Sequence, residues 1–417
     1  MDFSDTPEEA AFRAGARAFL EANAERRKPG EVLGYRRGQD SLGALEKARV
    51  FQRQKAEAGF CGIAWPREWG GQGGTPIQAV IYNQEEAQFN VVTGFFGFAL
   101  GMIMPTICTW GTKQQRERFV QPALRGDEVW CQLFSEPAGG SDLAALRTRA
   151  ERDGDDWVIN GQTIWTSGAH WSDFGALVAR SDPTVPKHKG LSYFWLSMKT
   201  PGVEIRPIKQ MSGSSHFNQV FFTDVRIPDS QRIGPVGEGW KVAITTLMNE
   251  RHGAADAPGP DINELLQLAR AVQTESGPAI DDAGVQERIA EFYVRSQGLR
   301  FTKFRTMTAL SKGETPGPQS SIGKLVTASK LQDITSFGLD LLGMAGPEMG
   351  AGMPVQGIFE EALLYSPALR VAGGTDEILR NIIAERVLGL PADIRVDKDV
   401  PFNEMPAGVV KGRGKQA

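Results

Sequence analysis

Three short stretches carry the residue types from which a binding and catalytic site is made. Residues 370–385 read RVAGGTDEILRNIIAE, with Gly373 and Gly374 running into Thr375, Asp376 and Glu377 at the head of an amphipathic segment. Glycine lets backbone come close to a ligand, and the first N–H groups of a helix have no partner inside it. Asp376 and Glu377, in a first helical turn, are explained by capping and by the helix dipole. Residues 131–150, CQLFSEPAGGSDLAALRTRA, put Ser135, Gly139, Gly140, Ser141 and Asp142 into one turn. Hydroxyls and bare N–H groups suit a phosphate or a polar ring edge, although the composition alone also reads as a plain glycine-rich loop. In TIWTSGAHWSD, Trp165 and Ser167 stand two apart in a strand and so share a face. An aromatic plane beside a hydroxyl can cover a flat heterocycle; a core tryptophan is the plainer reading.

The elements that must position these residues follow from the hydrophobic period. From Thr6 to Gly126 the spacing is helical, and Thr6-Pro7-Glu8-Glu9 is a capping box with proline at the first helical position. From Asp127 to Pro235 the period becomes two, with an Asn160-Gly161 hairpin expected inside WVINGQTIW. Helical spacing returns after Gly239 and is broken at 257–260 and 315–318, both Pro-Gly-Pro. The expected fold is α+β: an N-terminal helical domain over 1–126, a central antiparallel β domain over 127–235, a C-terminal helical bundle over 236–392 and a tail over 393–417. No Gly-x-Gly-x-x-Gly follows a strand, which argues against a doubly wound dinucleotide-binding domain.

Bulk properties narrow the function. The chain has 417 residues, a net charge of −4 and scattered rather than bunched Lys and Arg, so nucleic acid is not expected as a partner. Cys61, Cys108 and Cys131 are far apart, as are the 4 histidines, giving no disulfide framework and no metal site. The start, MDFSDTPEEA, lacks the apolar core of a targeting peptide, and a cytoplasmic location is expected. The uncharged run 91–110, VVTGFFGFALGMIMPTICTW, is long enough for a bilayer, but its glycines and Pro105 within a series of amphipathic helices predict a buried helix without membrane insertion.

Taken together, FSEPAGGSDLAALRTRA, INGQTIWTSGA and GGTDEILRNIIAERVLGLP resemble the acyl-CoA dehydrogenases in both order and spacing. The likeness extends to WPREWGGQGG (65–74) and WGTKQQRERFVQPALRGDE (110–128). It implies FAD between the β domain and the C-terminal helices. Phe134 and Ser135 would touch the isoalloxazine, Trp165 would lie beside it and Ser167 would hydrogen-bond near N5. Ser141 would approach the pyrophosphate or the CoA. Gly374, Thr375 and Glu377 would help hold the adenine end of a neighbouring subunit's cofactor. An oligomer is implied, a homotetramer or dimer, or a hetero-oligomer with a related subunit, with an electron-transferring flavoprotein as acceptor. Two departures stand out: Asp340-Leu-Leu-Gly-Met-Ala345 replaces the usual Gln and Gly-Gly of the intersubunit loop, and Arg270 is only a loose match to the expected basic residue.

A third departure concerns the base. Many members carry a catalytic glutamate just before Gly-Thr, and here that position is Gly373. Its N–H would still polarise the thioester carbonyl, but a proton must leave the α-carbon. The family's other location for the base is the first long helix of the C-terminal domain, which here reads WKVAITTLMNERHGAA and offers Glu250. Leu247, Thr246, Ala243 and Ala254 lie at helical spacing from it, a small and apolar face on which a carboxylate is desolvated and raised toward a useful pKa. Spacing alone would make Glu250 a surface charge beside Arg251. The expected reaction is oxidation of an acyl-CoA to its trans-2-enoyl-CoA, in lipid catabolism. Its rivals are a flavin oxidase or monooxygenase of the same fold and a non-catalytic FAD-binding subunit. If run 91–110 lines the acyl pocket, Thr93, Gly97 and Gly101 at one-turn spacing leave room for a bulky, cyclic or carboxylated acyl group; close helix packing explains these glycines equally.

Overall fold

The first helix begins where its cap predicts: the Thr6 hydroxyl accepts the Glu9 N–H and the Glu9 carboxylate takes the Thr6 N–H, starting α1 (Pro7–Asn23). The same device starts α3 (Pro76–Glu86) at Thr75 and α5 (Lys113–Arg125) at Thr112. Between them lie α2 (Ala44–Glu57) and α4 (Met104–Trp110), and a two-residue pair, β1 (Glu25–Arg26) with β2 (Phe89–Asn90), ties the chain just after α1 to the chain just after α3. The computed structural model describes residues 5–28, 43–253, 259–311, 317, 318, 320–343, 346, 354–392, 394, 397 and 399–405, with backbone only at 250–253, 307, 310, 311, 320, 354 and 356.

The run 91–110 is not one helix. It forms a 3-10 turn at Gly94–Phe96, a π-helix at Ala99–Ile103 and then α4, because Pro105 has no N–H to offer the preceding turn and the chain widens ahead of it. Among the described residues no helix is long and apolar enough to cross a membrane. Among the described residues, an added Cβ at Gly97 or Gly101 would meet nothing within 4 Å, so no described helix packs closely against these glycines.

Period-two sequence becomes a sheet of eight strands: β3 (Trp130–Leu133), β4 (Arg149–Asp153), β5 (Asp156–Ser167), β6 (Phe174–Arg180), β7 (Leu191–Ser197), β8 (Val203–Ile208), β9 (Phe217–Pro228) and β10 (Arg232–Ile233). The order is β10-β7-β6-β4-β5-β9-β8, with β3 also on β6. Most pairings are antiparallel as expected, but β3 and the start of β4 run parallel to β6, so the sheet is mixed. Alternation along β6 separates two cores. Ala176 and Val178 face α4 and α5 with Trp130 and Tyr193, whereas Leu177 and Ala179 pack with Phe194, Leu196 and Trp157.

The expected hairpin at Asn160-Gly161 is displaced. The β4–β5 turn falls instead at Gly154-Asp155, where Asp153 pairs with Asp156 and Gly154 has φ 63°. Asp153-Gly154 carries the same turn chemistry, while Asn160-Gly161 forms an irregularity inside β5. Glycine is required there by proximity: a Cβ at Gly161 would stand 2.4 Å from the Thr148 hydroxyl oxygen.

At the end of β9, Asp229 gathers the Trp157 indole N–H (2.7 Å) and the Arg232 guanidinium (2.8 Å). Arg232 above all, then Trp157, holds its carboxyl down at about 2, against 3.8 unperturbed. A depressed carboxylate stabilises the fold above its unfolded pKa and loses that contribution as pH falls through the folded one. Asp229→Asn is therefore expected to cost about 2 kcal/mol in urea unfolding at pH 7, the difference shrinking between pH 4 and pH 2.

The C-terminal helices are α6 (Gly239–Gly253), α7 (Ile262–Ala271), α8 (Ala283–Ser311), α9 (Ser320–Leu342), α10 (Ile358–Val371) and α11 (Asp376–Arg386), so the two Pro-Gly-Pro breaks lie between α6 and α7 and between α8 and α9. Leu265, Leu268, Phe292, Leu331, Ile334 and Phe359 form the core of this bundle. α6 is pinned against both other layers: the Thr246 hydroxyl lies 2.9 Å from that of Thr106 and 3.1 Å from that of Tyr193, and the Trp110 indole donates to Thr245 at 2.9 Å.

Candidate active site

The loop after β3 is folded back by its own acid. Glu136 pairs with Gly139 through two backbone hydrogen bonds, and its buried carboxylate accepts the N–H groups of Arg147 (2.8 Å) and Thr148 (2.6 Å). The Ile164 N–H donates to the Ser135 carbonyl at 2.8 Å, which sets the first stretch beside the second. Phe134 is buried edge-on against Tyr193, with centroids 5.8 Å apart, while Ser141 is exposed at the tip. Each hydrogen bond to a charged group is worth about 1.5–3 kcal/mol. Glu136→Ala is thus expected to loosen the loop and to weaken binding of the FAD that the resemblance implies about 10²-fold, checked by fluorescence titration of apoprotein with FAD.

Trp165 is not core: it is 56% exposed. An extra residue in β5 between Thr163 and Thr166 shifts the register, and Trp165 takes φ 62°, a strained value for an aromatic residue. Buried Thr166 is flanked by Trp165 and half-buried Ser167, so the two still lie off the core face, by way of a bulge rather than a plain strand. The Trp165 ring stands 6.1 Å from Phe217 at 85°, Phe217 lies 4.1 Å from His216, and His216 lies 6.1 Å from Tyr365 of α10. That aromatic series links the second stretch to α10, the helix that leads into the third.

α10 then leads into Gly373 (φ 67°) and Gly374 (φ 99°), and the Thr375 hydroxyl caps α11 by accepting the Ile378 N–H at 3.3 Å. The Lys324 ammonium donates to the Gly374 carbonyl at 2.5 Å. Asp376 does more than complement a dipole: it is 3% exposed and takes two hydrogen bonds from Arg370, at 2.7 and 2.5 Å, while Arg370 also reaches Gln332. Glu377 is exposed. The Gly373 N–H has no hydrogen-bond partner among the described residues. Glu250 lies in α6 four residues after Thr246, but its side chain is outside the described ones. Arg270 and Asp340 are both exposed, at the ends of α7 and α9, and Met344 and Ala345 lie outside the described residues.

Three sequence models of one family match the chain in succession: the acyl-CoA dehydrogenase N-terminal domain at residues 6–127, the middle domain at 131–225 and the C-terminal domain at 237–388. The chain belongs to the acyl-CoA dehydrogenase family. Among its relatives, the acyl-CoA dehydrogenase IpdE1 of Mycobacterium tuberculosis is 36% identical over 84% of this chain and 90% of its own length. The acyl-CoA dehydrogenase FadE34 of the same organism is 37% identical over 81% of this chain, a match that spans 45% of FadE34. The solved structure "Tcur3481-Tcur3483 steroid ACAD" superposes with a TM-score of 0.79 at 28% identity, covering 94% of this chain and all of that one.

Acyl-CoA dehydrogenases are FAD enzymes and oxidoreductases. The residues here suit a flavin: an exposed indole held at a strained angle, a hydroxyl two residues on in the same strand, and a glycine N–H with no hydrogen-bond partner among the described residues. Residues that sequence reasoning missed are the ones holding these in place, Glu136, Lys324 and the Arg370–Asp376 pair. Glu136 could have been found, since an acid within a glycine-rich turn has free N–H groups to gather; the other contacts join segments about 50 residues apart or depend on burial.

Proposed function

We propose that this acyl-CoA dehydrogenase removes the α-proton of its substrate with Glu250 and polarises the thioester carbonyl with the Gly373 N–H, giving a trans-2-enoyl-CoA. The observation that carries this reading is that the strand bearing Trp165 is tied to the first stretch, through the Ile164 N–H and the Ser135 carbonyl, and linked by the Phe217–His216–Tyr365 series to α10, the helix that leads into Gly373. FAD, when bound, supplies the acceptor for the hydride that leaves the β-carbon. Phe134, Ser135, Trp165 and Ser167 hold the ring in place, and the α10–α11 turn presents the Gly373 N–H to the carbonyl. Glu250 holds the proton after transfer.

The substrate of this reading is a bulky polycyclic acyl-CoA of the steroid class. Support comes from the open space at Gly97 and Gly101 and from the solved relative, which is called a steroid ACAD. The name of that relative joins two components, Tcur3481 and Tcur3483, which favours a hetero-oligomer over a homotetramer. An electron-transferring flavoprotein is the acceptor, in the cytoplasm.

The test is anaerobic bleaching of the yellow protein by straight-chain, carboxylated and polycyclic acyl-CoAs. The polycyclic thioester is expected to reduce the flavin fastest; preference for a short straight chain would refute the substrate class. Turnover with an artificial acceptor is expected to exceed peroxide production widely, and the reverse would favour an oxidase.

A further inference from the structure

The loop 139–146 has an inner latch in Glu136, and it has an outer one that comes from far along the chain. Arg180, the last residue of β6, is 4% exposed and points its guanidinium at backbone: at the carbonyls of Ala144 (2.5 Å), Leu146 (3.3 Å) and Lys187 (2.7 Å). The open face of that guanidinium is covered by Phe402, whose ring centre lies 3.8 Å away. Phe402 is seated by backbone: its N–H donates to the Val185 carbonyl at 3.0 Å and that of Asn403 to Pro183 at 2.9 Å, next to a bridge between Pro186 and Pro401. A second tie runs in parallel, since the buried Lys187 ammonium joins Asp142 (2.7 Å) to Asp397 (2.6 Å).

These contacts stand next to a patch that is free to bind. Gly140, Ser141 and Asp142 are exposed, and their N–H groups have no hydrogen-bond partner among the described residues. Successive unpaired N–H groups beside a hydroxyl suit phosphate oxygens. Arg180 holds the same loop a few residues on, through the Ala144 and Leu146 carbonyls.

Building on the flavin reading, we propose that the C-terminal segment is a strap, in which Phe402 acts through Arg180 as a positioning residue that holds loop 139–146 in shape to take a phosphate-bearing ligand. That ligand is the phosphate part of FAD or of coenzyme A. The strap works by packing rather than by charge. Asp142, Lys187 and Asp397 together are net negative, so removing Asp397 would loosen the strap yet favour an anion, and Phe402 is the cleaner probe. Phe402 lies beyond the last residue, 388, matched by the family's C-terminal domain, so that match does not include the device.

The experiment uses the full-length holoprotein with Phe402→Ala and Phe402→Tyr. Limited trypsin digestion reports loop opening through cleavage after Arg147, mapped by mass spectrometry against cleavage elsewhere. FAD retention after desalting and the affinity for free coenzyme A report the two ligand sources. Phe402→Ala is expected to speed cleavage after Arg147 about tenfold and to weaken one of the two ligands by a similar factor, with Phe402→Tyr like wild type. The ligand that weakens identifies the source. Unchanged cleavage, uniform acceleration along the chain, or loop opening with both affinities intact would overturn the strap. Failure of the flavin reading is distinct: wild-type protein would then take up no FAD, and the cleavage and coenzyme A arms would still decide the strap.

Discussion

Glu250→Gln is expected to fold, keep its FAD and bind acyl-CoA, and to turn over roughly 10²–10⁴-fold more slowly than wild type. The amide matches the carboxylate in shape and cannot take a proton, so the loss falls on kcat while the affinity for a substrate analogue stays put. The placement behind this expectation is that of α6 itself. Thr246, one turn before Glu250, is clamped between Thr106 of α4 and Tyr193 of β7, and the Tyr193 ring packs on Phe134 at the head of the flavin loop. Two hydroxyl contacts and one aromatic contact thus fix the helix that carries Glu250, the proposed base, against the strand that leads to the proposed cofactor site. The measurement is the anaerobic rate of flavin reduction by a confirmed substrate, with FAD content and melting temperature as controls. Near wild-type reduction in Glu250→Gln would remove this carboxylate from the mechanism.

The parts of this molecule that were legible in its sequence are those governed by local rules. The capping box at Thr6 starts a helix where its residues say, and the change of period marks where helices give way to strands. Local rules also explain the errors. Asn-Gly is a strong hairpin signal, but an Asp-Gly lies seven residues earlier, and the close approach of Thr148 to Gly161 makes the later pair an irregularity instead. The uncharged run 91–110 gave the burial correctly but not the π-helix ahead of Pro105, which depends on a missing N–H rather than on hydrophobicity. At the site, the binding stretches could be recognised by composition, whereas the groups that orient them could not. Lys324 reaches Gly374 across 50 positions, Lys187 reaches Asp397 across 210, and neither pairing leaves a periodic trace.

Gly373→Val is expected to lower kcat by roughly 10²–10³-fold, the loss seen when one preorganised donor to a developing oxyanion is withdrawn. Gly373 has φ 67°, where a β-branched residue is a true outlier, so the valine variant must rotate its backbone and turn the N–H away from the carbonyl. The surroundings limit how the strain can be released. Gly374 is held through its carbonyl by Lys324, Thr375 caps α11, and buried Asp376 is fixed by Arg370. With the turn anchored just beyond it, the strain of roughly 1–3 kcal/mol falls on the peptide whose N–H is proposed to bind the carbonyl. Calorimetry is therefore expected to find a modest fall in melting temperature beside a large fall in kcat, whereas an equal loss of FAD would point to a collapsed turn. The same angle bears on moving the base. Gly373→Glu in the Glu250→Gln background restores a carboxylate at the family's other location, but it does so at a position whose backbone resists any side chain. No more than a small recovery is expected, and flavin reduction returning to within tenfold of wild type would show that the turn relaxes far more readily than its anchors imply.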